Sequence, residues 1–174
     1  EPEKAEELYQ LAFEKFQKAI EIKPDKHEAF FNWGNDLGNL AKIKEPEKAE
    51  ELYQLAFEKF QKAIEIKPDL HEAFNNWASL IVDYSRLKPE SETENILNHA
   101  SEILEKGAQF GDTSYNLACL YALQSKKHKA IELLDKCLTN KGIGIDHVLS
   151  DLDWKDYLED ADFKTLIDKH QNSV

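Results

Sequence analysis

Apolar residues recur every three or four positions over most of this chain, which is the spacing of amphipathic α-helices. The pattern predicts helices over residues 2–22, 26–43, 46–66, 70–87, 90–107, 113–124 and 127–139, with a last helix over 160–170. Lys-Pro-Asp ends the first and third of these, because proline cannot continue the helical hydrogen bonding. No alternating pattern of strand type is needed to account for the chain, so we expect an all-α protein.

Residues 1–25 recur letter for letter as residues 45–69, which gives a repeat period of 44 residues. The two 44-residue units agree at 32 positions, surface charges included, so the duplication is either very recent or engineered. A period of this size predicts helical hairpins stacked side by side, each unit needing neighbours to bury its apolar faces.

Helix 2–22 has two apolar stripes, which predicts contact from two sides. The first stripe is Ala5, Leu8, Ala12, Phe16 and Ala19; the second is Tyr9, Phe13 and Ile20. In the repeated copy the first stripe is Leu52, Ala56, Phe60 and Ala63, which helix 26–43 should cover. Helix 2–22 has no equivalent helix before it. We therefore predict self-association through Leu8, Ala12, Phe16 and Ala19, by end-to-end packing or by helix exchange.

Several polar residues have the spacing of helix caps. Asp25 with Glu28, Asp69 with Glu72, and Ser91 with Glu94 match the capping-box pattern. In the last stretch Asp151, Asp153 and Asp160 are each placed to cap a short helix.

Composition narrows the function. The formal net charge of −12 disfavours nucleic acid or an anionic membrane as partner; it reflects either simple solubility or a preference for a basic ligand. There is no apolar run long enough to span a bilayer and no signal segment. The chain begins without Met, so we expect a fragment of a longer protein. Cys119 and Cys137 lie on apolar helical faces, which indicates buried free thiols, a reducing compartment and a cytoplasmic location.

The order of residues resembles the tetratricopeptide repeat, in which a first helix with aromatic, Leu and small residues precedes a second helix with Ala-x3-Phe and Pro. The first unit has Phe30, Trp33, Gly34 and Leu37, then Ala56, Phe60, Ala63 and Pro68. The second has Phe74, Trp77, Ala78 and Ile81, then Ala100 and Leu104; the third has Leu117, Ala118 and Tyr121, then Ala130, Leu134 and Cys137. The usual period is about 34 residues, so each helix of the first two hairpins should be about one and a half turns longer.

This resemblance implies a right-handed superhelical solenoid of antiparallel helix pairs. We expect a repeat array over 1–142, made of an orphan second helix (1–25), extended repeats (26–68 and 70–107) and a standard repeat (112–142). Residues 143–174, which resemble the end of many bacterial arrays, should form a C-terminal cap.

The resemblance also implies a protein that binds a peptide or protein segment along the inner faces of its first helices. Asn32, Asn76 and Asn116 each precede an inward Trp or Leu, and a row of amides could hydrogen-bond an extended peptide backbone. The alternative is that these asparagines bond locally between helices. Flanking candidates for the peptide-binding groove are Phe31, Asn35, Asn75, Ser79, Asp83, Tyr115 and Cys119.

Other functions find less support. A basic clamp for a peptide carboxylate, known in the family, would need cations where this chain has Glu28, Glu72 and Asp83. No catalytic motif, cofactor motif or metal-ligand spacing is present among the histidines or in the Asp-rich tail, so we expect a non-enzymatic scaffold without metal or cofactor. The alternatives are a self-assembly module and a regulatory region of an enzyme domain outside this sequence.

Overall fold

The computed structural model of the chain describes residues 2–171, with side chains from residue 4. Within this range the protein contains helices and no strand, which confirms the predicted all-α class. The helices are α1 (Pro2–Ile22), α2 (His27–Ala41), α3 (Pro46–Ile66), α4 (His71–Ser85), α5 (Glu90–Gly107), α6 (Ser114–Leu123), α7 (Lys127–Thr139), α8 (Ile145–Ser150), the 3₁₀ helix Leu152–Tyr157, and α9 (Ala161–Gln171).

Consecutive helices pack as hairpins: α2 with α3, α4 with α5, and α6 with α7. The first two hairpins are longer, as predicted. The first helix of each has 15 residues, against 10 in α6, and the second has 21 or 18, against 13 in α7. Five residues are about one and a half helical turns, so the extra length of the repeat lies in both helices of each pair.

The chain forms two compact units, Glu1–Gly111 and Asp112–Val174. In the first unit, α1 packs on α2 and α3 packs on α4, which joins successive hairpins. In the second unit, the 3₁₀ helix packs on α6 and α9 packs on α7, and Trp154 and Phe163 are fully enclosed there. The described residues after α7 therefore pack on the last hairpin, where a C-terminal cap was expected. Residues 1 and 172–174 of the predicted array and cap lie outside the described residues.

Identical sequences take different environments in α1 and α3. Leu52 is 5% exposed and Ala56, Phe60 and Ala63 are fully buried, which confirms the prediction that α2 covers this stripe. The matching Leu8 of α1 is 59% exposed, and Leu11 beside it is 53% exposed. The sequence of the helix is the same in both places, so the difference comes from the neighbouring helix alone.

The predicted capping boxes do not form. α2 begins at His27 with Lys26 as its N-cap, α4 begins at His71 with Leu70 as its N-cap, and no cap side chain bonds to either helix. Both helices begin one residue later than they would if Asp25 or Asp69 were the N-cap. In each case a backbone hydrogen bond forms a tight turn before the helix: His27 N–H donates to the Asp25 carbonyl, and His71 N–H donates to the Asp69 carbonyl. Pro89 likewise replaces Ser91 as the N-cap of α5. Asp160, in contrast, accepts from the N–H groups of Asp162 and Phe163, as predicted.

Cys119 and Cys137 are both buried free thiols, which confirms their predicted state. Among the helices of residues 2–171, none combines the length and apolar character that crossing a bilayer requires.

Candidate functional site

The predicted asparagine row is partly engaged inside the protein. Asn32 is exposed on α2. Asn76 Nδ2 donates to Asn35 Oδ1 at 2.9 Å, which joins α4 to α2. Asp83 forms ion pairs with Lys42 at 3.0 Å and with Arg86 at 2.6 Å. The polar groups of Asn76 and Asp83 therefore hold helices together in this structure.

The other predicted groove residues are distributed between core and surface. Phe31 packs edge-on against Phe60, with ring centroids 6.0 Å apart, whereas Ser79 is exposed. Asn75 and Asn116 are half-buried, and each makes a polar or electrostatic contact. Tyr115, Asn116 and Cys119 belong to the second unit and the other seven to the first. The ten residues therefore fall into two sets, one on each compact unit.

In the second unit, Tyr115 and Cys119 converge on Asp151. The Tyr115 hydroxyl donates to Asp151 Oδ2 at 2.8 Å, and the Cys119 thiol lies 3.7 Å from the same oxygen. Burial raises the pKa of both Tyr115 and Cys119; for Tyr115 the neighbouring Cys119 and then Asp151 add to this effect, and for Cys119 the carboxylates of Asp151 and Asp153 do. Both groups therefore stay protonated and act as donors.

Cys119, Asp151 and Asp153 bring their ligand atoms within 4.8 Å of one another. A metal would need a thiolate, but burial raises the pKa of Cys119 and holds it in the thiol form. The carboxylate of Asp151 is also engaged in a structural hydrogen bond: its Oδ1 accepts from the Asp153 N–H at 3.0 Å and so caps the 3₁₀ helix. This arrangement suits a structural anchor of the cap better than a metal centre.

A groove that the sequence did not predict lies between α3, α4 and α5. We call it the aromatic groove. It encloses about 430 Å³, within the usual size of ligand sites. Its lining is Gln54, Phe57, Glu58 and Gln61 of α3, Trp77, Ile81 and Tyr84 of α4, and Asn95, Ile96 and His99 of α5.

Aromatic rings form the floor and sides of the aromatic groove. Phe57 meets Tyr84 edge-on with centroids 5.7 Å apart, and His99 meets Trp77 edge-on at 6.1 Å. Trp77 Nε1 is buried and has no hydrogen-bond acceptor among the described residues. A buried donor without a partner costs free energy, so this N–H is a group that a bound carbonyl oxygen would satisfy.

Two carboxylates at the aromatic groove differ in their partners among the described residues: Glu50, beside the groove, is paired, and Glu58, in its lining, is not. Lys88 pairs with Glu50, and the Tyr84 hydroxyl donates to the same carboxylate at 3.3 Å. This hydrogen bonding, first from Lys88, holds the pKa of Glu50 below its usual value. Glu58, by contrast, has no ion-pair or hydrogen-bond partner among the described residues, so the lining carries one uncompensated carboxylate.

The first hairpin has a tryptophan at the same repeat position as Trp77, but its neighbours are different. Trp33 corresponds to Trp77, 44 positions later. Phe13 and Phe16 of α1 stack on Trp33 at 6.0 and 6.2 Å, and the Lys59 ammonium lies 4.1 Å from the centroid of its ring system. The residue that corresponds to Lys59 in the second unit is Ile103, which is buried. Trp77 therefore lacks the internal cation of Trp33.

Sequence reasoning missed the aromatic groove because its lining comes from three helices and depends on how α3 and α5 lie beside each other. The helical pattern alone places Trp77 on the inner face as a core residue. Comparison of the two repeat units could have indicated the groove. The second unit has His99 where the first has Leu55, and Ile103 where the first has Lys59. Substitutions of this kind in an otherwise duplicated sequence mark a place where the environment of the tryptophan has changed.

Comparison with known proteins gives one family. The model described as plant specific mitochondrial import receptor subunit TOM20 matches residues 2–75, under half of the 174-residue chain. The match spans α1 to α3 and the start of α4, so Phe57 and Glu58 fall within it and Trp77 and His99 beyond it. It supports a helical, repeat-like protein similar to an import receptor. No curated protein matches the chain.

The predicted cytoplasmic location is contradicted by this match. The similarity is to a mitochondrial import receptor subunit, which points to the mitochondrion. The prediction failed because it rested on reduced cysteines and on the lack of a signal segment, and neither distinguishes among compartments where thiols stay reduced.

Proposed function

We propose that the protein is a non-enzymatic receptor scaffold of the tetratricopeptide type that binds a segment of another protein, in particular of a protein destined for the mitochondrion. The similarity to an import receptor subunit supports the receptor role. The proposed division of the chain is an extended repeat array followed by a cap.

The aromatic groove is the observation that carries this proposal. Its lining offers Phe57, Ile81 and Ile96 as apolar contacts and Trp77 and Tyr84 as large amphipathic rings. Aromatic side chains of this kind dominate binding energies at protein interfaces. Amide side chains of Gln54, Gln61 and Asn95 at its edge both donate and accept hydrogen bonds.

An amphipathic helix is the proposed form of the bound segment. A groove bounded by two helices and floored by a third accepts an apolar helix face, with anchors every three or four residues. The inner face around Asn32 is a second, more polar surface for an extended segment, but Asn76 and Asp83 would first have to exchange their internal partners.

The duplication supplies a matched pair of variants for the test. Phe57→Ala removes a side of the aromatic groove, and Phe13→Ala removes the same residue from the identical sequence of α1. The probe is a fluorescein-labelled synthetic helix with Leu on one face and Lys on the other, and binding is followed by fluorescence anisotropy. We expect Phe57→Ala to weaken binding at least about tenfold, since truncating an interface anchor costs about 2 kcal/mol or more, and Phe13→Ala to leave it nearly unchanged. Equal effects of the two variants, or no binding by the unmodified protein, would contradict the proposal.

Self-assembly through α1 is the second candidate function, favoured by the exposure of Leu8 and Leu11. Phe16, also predicted to take part, is partly covered by Trp33 and is less available. Ala12 and Ala19 are half-buried beside it. A surface of exposed leucines on one helix is typical of an interface.

A further inference from the structure

We infer that the aromatic groove contains a cation subsite, formed by the ring system of Trp77 and the carboxylate of Glu58, which takes a Lys or Arg side chain of the bound segment. This inference rests on the proposed function and specifies which part of the segment the groove recognises. It concerns residues on both sides of position 75, where the family match ends.

The first hairpin contains an internal example of the contact. The Lys59 ammonium lies 4.1 Å from the centroid of the Trp33 ring system, well within the range of a cation–π interaction. Trp33 and Trp77 occupy the same position of the repeat. In the second unit the chain supplies buried Ile103 instead of a lysine, and Trp77 lines an open groove. At Trp77 the buried Ile103 fills the position that Lys59 has at Trp33, so a ligand cation would reach the Trp77 ring from the groove, which Glu58 also lines.

Charge complementarity at the groove favours a cation as occupant. Glu58 lines the groove and has no partner among the described residues. The two lysines closest to Glu58 along α3 already have partners: Lys59 lies over Trp33, and Lys62 pairs with Glu65 at 2.9 Å. The titratable group on the opposite side of the groove is His99, whose Nδ1 lies 3.8 Å from the Glu102 carboxylate oxygen Oε2. No lysine or arginine is part of the described lining. The Lys88 ammonium lies 4.9 Å from the centroid of the Tyr84 ring, but its charge is compensated by its ion pair with Glu50.

A lysine or arginine is suited to both groups at once. Its aliphatic stem packs on apolar surface such as Ile81 or Ile96, while the charged end stays near the carboxylate. Tryptophan gives the strongest cation–π attraction of the aromatic residues. The apolar part of the segment and its cation are therefore recognised by neighbouring parts of one groove.

The test uses two fluorescein-labelled helical peptides that share one leucine face; the first carries Lys at its polar positions and the second carries Gln. Three variants of the full chain are compared. Glu58→Gln removes the carboxylate of the subsite, and Trp77→Phe keeps an aromatic ring but weakens its attraction for a cation. Glu14→Gln changes the equivalent residue of α1 and is the matched control.

We expect the Lys peptide to bind roughly fivefold more tightly than the Gln peptide, the ratio that corresponds to a cation–π contact of about 1 kcal/mol. Glu58→Gln and Trp77→Phe should each reduce this preference, and Glu14→Gln should keep it. Glu58 is exposed, so its substitution does not threaten the fold. If both peptides bind equally to the unmodified protein, or if Glu14→Gln and Glu58→Gln act alike, the subsite is wrong although the receptor function stands. If neither peptide binds, both proposals fail.

Discussion

The amide of Asn76 donates to the side-chain oxygen of Asn35 at 2.9 Å and so joins the first helices of two successive hairpins. Asn76 occupies the same repeat position as Asn32, whereas Asn35 lies one turn further along α2. The bond therefore connects non-equivalent positions of the two units. It supports, at this position, local bonding between helices over a free amide facing a ligand.

Removing Asn76 should lower stability, whereas removing Asn32 should not. Asn76→Ala leaves the half-buried Asn35 without its partner, and we expect a loss of about 0.5–1.5 kcal/mol in the free energy of unfolding. Asn32→Ala changes an exposed side chain and should stay within about 0.5 kcal/mol. Urea denaturation of both variants checks this. If Asn76→Ala weakens peptide binding without any loss of stability, the ligand-binding role predicted from sequence is correct.

Gly34 and Phe60 form a size-matched pair across the first hairpin. A Cβ on Gly34 would lie 3.1 Å from two ring atoms of Phe60, which is fully buried and also touches Phe31. The equivalent positions of the next unit are Ala78 and Leu104, a larger residue facing a smaller one. Overpacking against the enclosed Phe60 costs about 1–3 kcal/mol, and the higher helix propensity of alanine offsets about 1 kcal/mol of this. We therefore expect Gly34→Ala to destabilise the protein by about 1 kcal/mol.

The double variant Gly34→Ala/Phe60→Leu copies the second unit into the first. It should be more stable than the sum of the two single effects predicts, by at least about 0.5 kcal/mol, because the two residues share one contact. Chemical denaturation of the three variants gives the coupling free energy. Strict additivity would show that the two positions do not constrain each other.

Acid should weaken the contact between α7 and α9. The pKa of Asp135 lies below its ordinary value of 3.8, first because of the hydrogen bond from Lys169 and then because of that from His170. A lowered pKa in the folded state stabilises the protein fully above the ordinary pKa, and this contribution disappears as the pH falls below 3.8 through the lowered value. Asp135→Asn should lower the urea midpoint at about pH 7 and have a smaller effect near pH ~3. A midpoint difference that does not depend on pH would contradict this.

The exposed stripe of α1 should control any self-association. Leu8→Glu and Leu11→Glu place charges on side chains that are 59% and 53% exposed, so the fold should persist. If copies associate through this helix, the double variant should be monomeric in light scattering across a concentration range. The control is Glu7→Gln, which changes an exposed neighbour and should leave the oligomer size as it is. An oligomer that survives the double variant excludes this interface.

Helical periodicity and the internal repeat predicted most of the fold. The bounds of α1, α3, α5 and α7 agree with the predicted ranges, because prolines and turn residues mark them in the sequence. The burial of Leu52, Ala56 and Phe60 also followed from the repeat. The caps at Asp25 and Asp69 did not, because a backbone turn at Lys26 and Leu70 moved the helix starts by one residue.

The binding site was less accessible from sequence. A row of asparagines is visible in a single chain, but the partner of Asn76 depends on the offset between α2 and α4, which no local pattern records. The aromatic groove depends on the space left between α3 and α5. Its residues have the pattern of ordinary core and surface positions until the helices are placed next to each other.

Hydrogen–deuterium exchange with and without the Leu/Lys peptide tests the central claim most directly, which is that a protein segment binds in the aromatic groove. Proteolytic fragments of α3 cannot be told from those of α1, because the two helices have the same sequence. Exchange is therefore followed in fragments of α4 (His71–Ser85) and α5 (Glu90–Gly107), whose sequences are unique in the chain. We predict slower exchange in both helices around Trp77 and His99 when the peptide is bound. Saturating peptide that leaves α4 and α5 unchanged, or that slows exchange only around Asn32 in α2, would contradict the account.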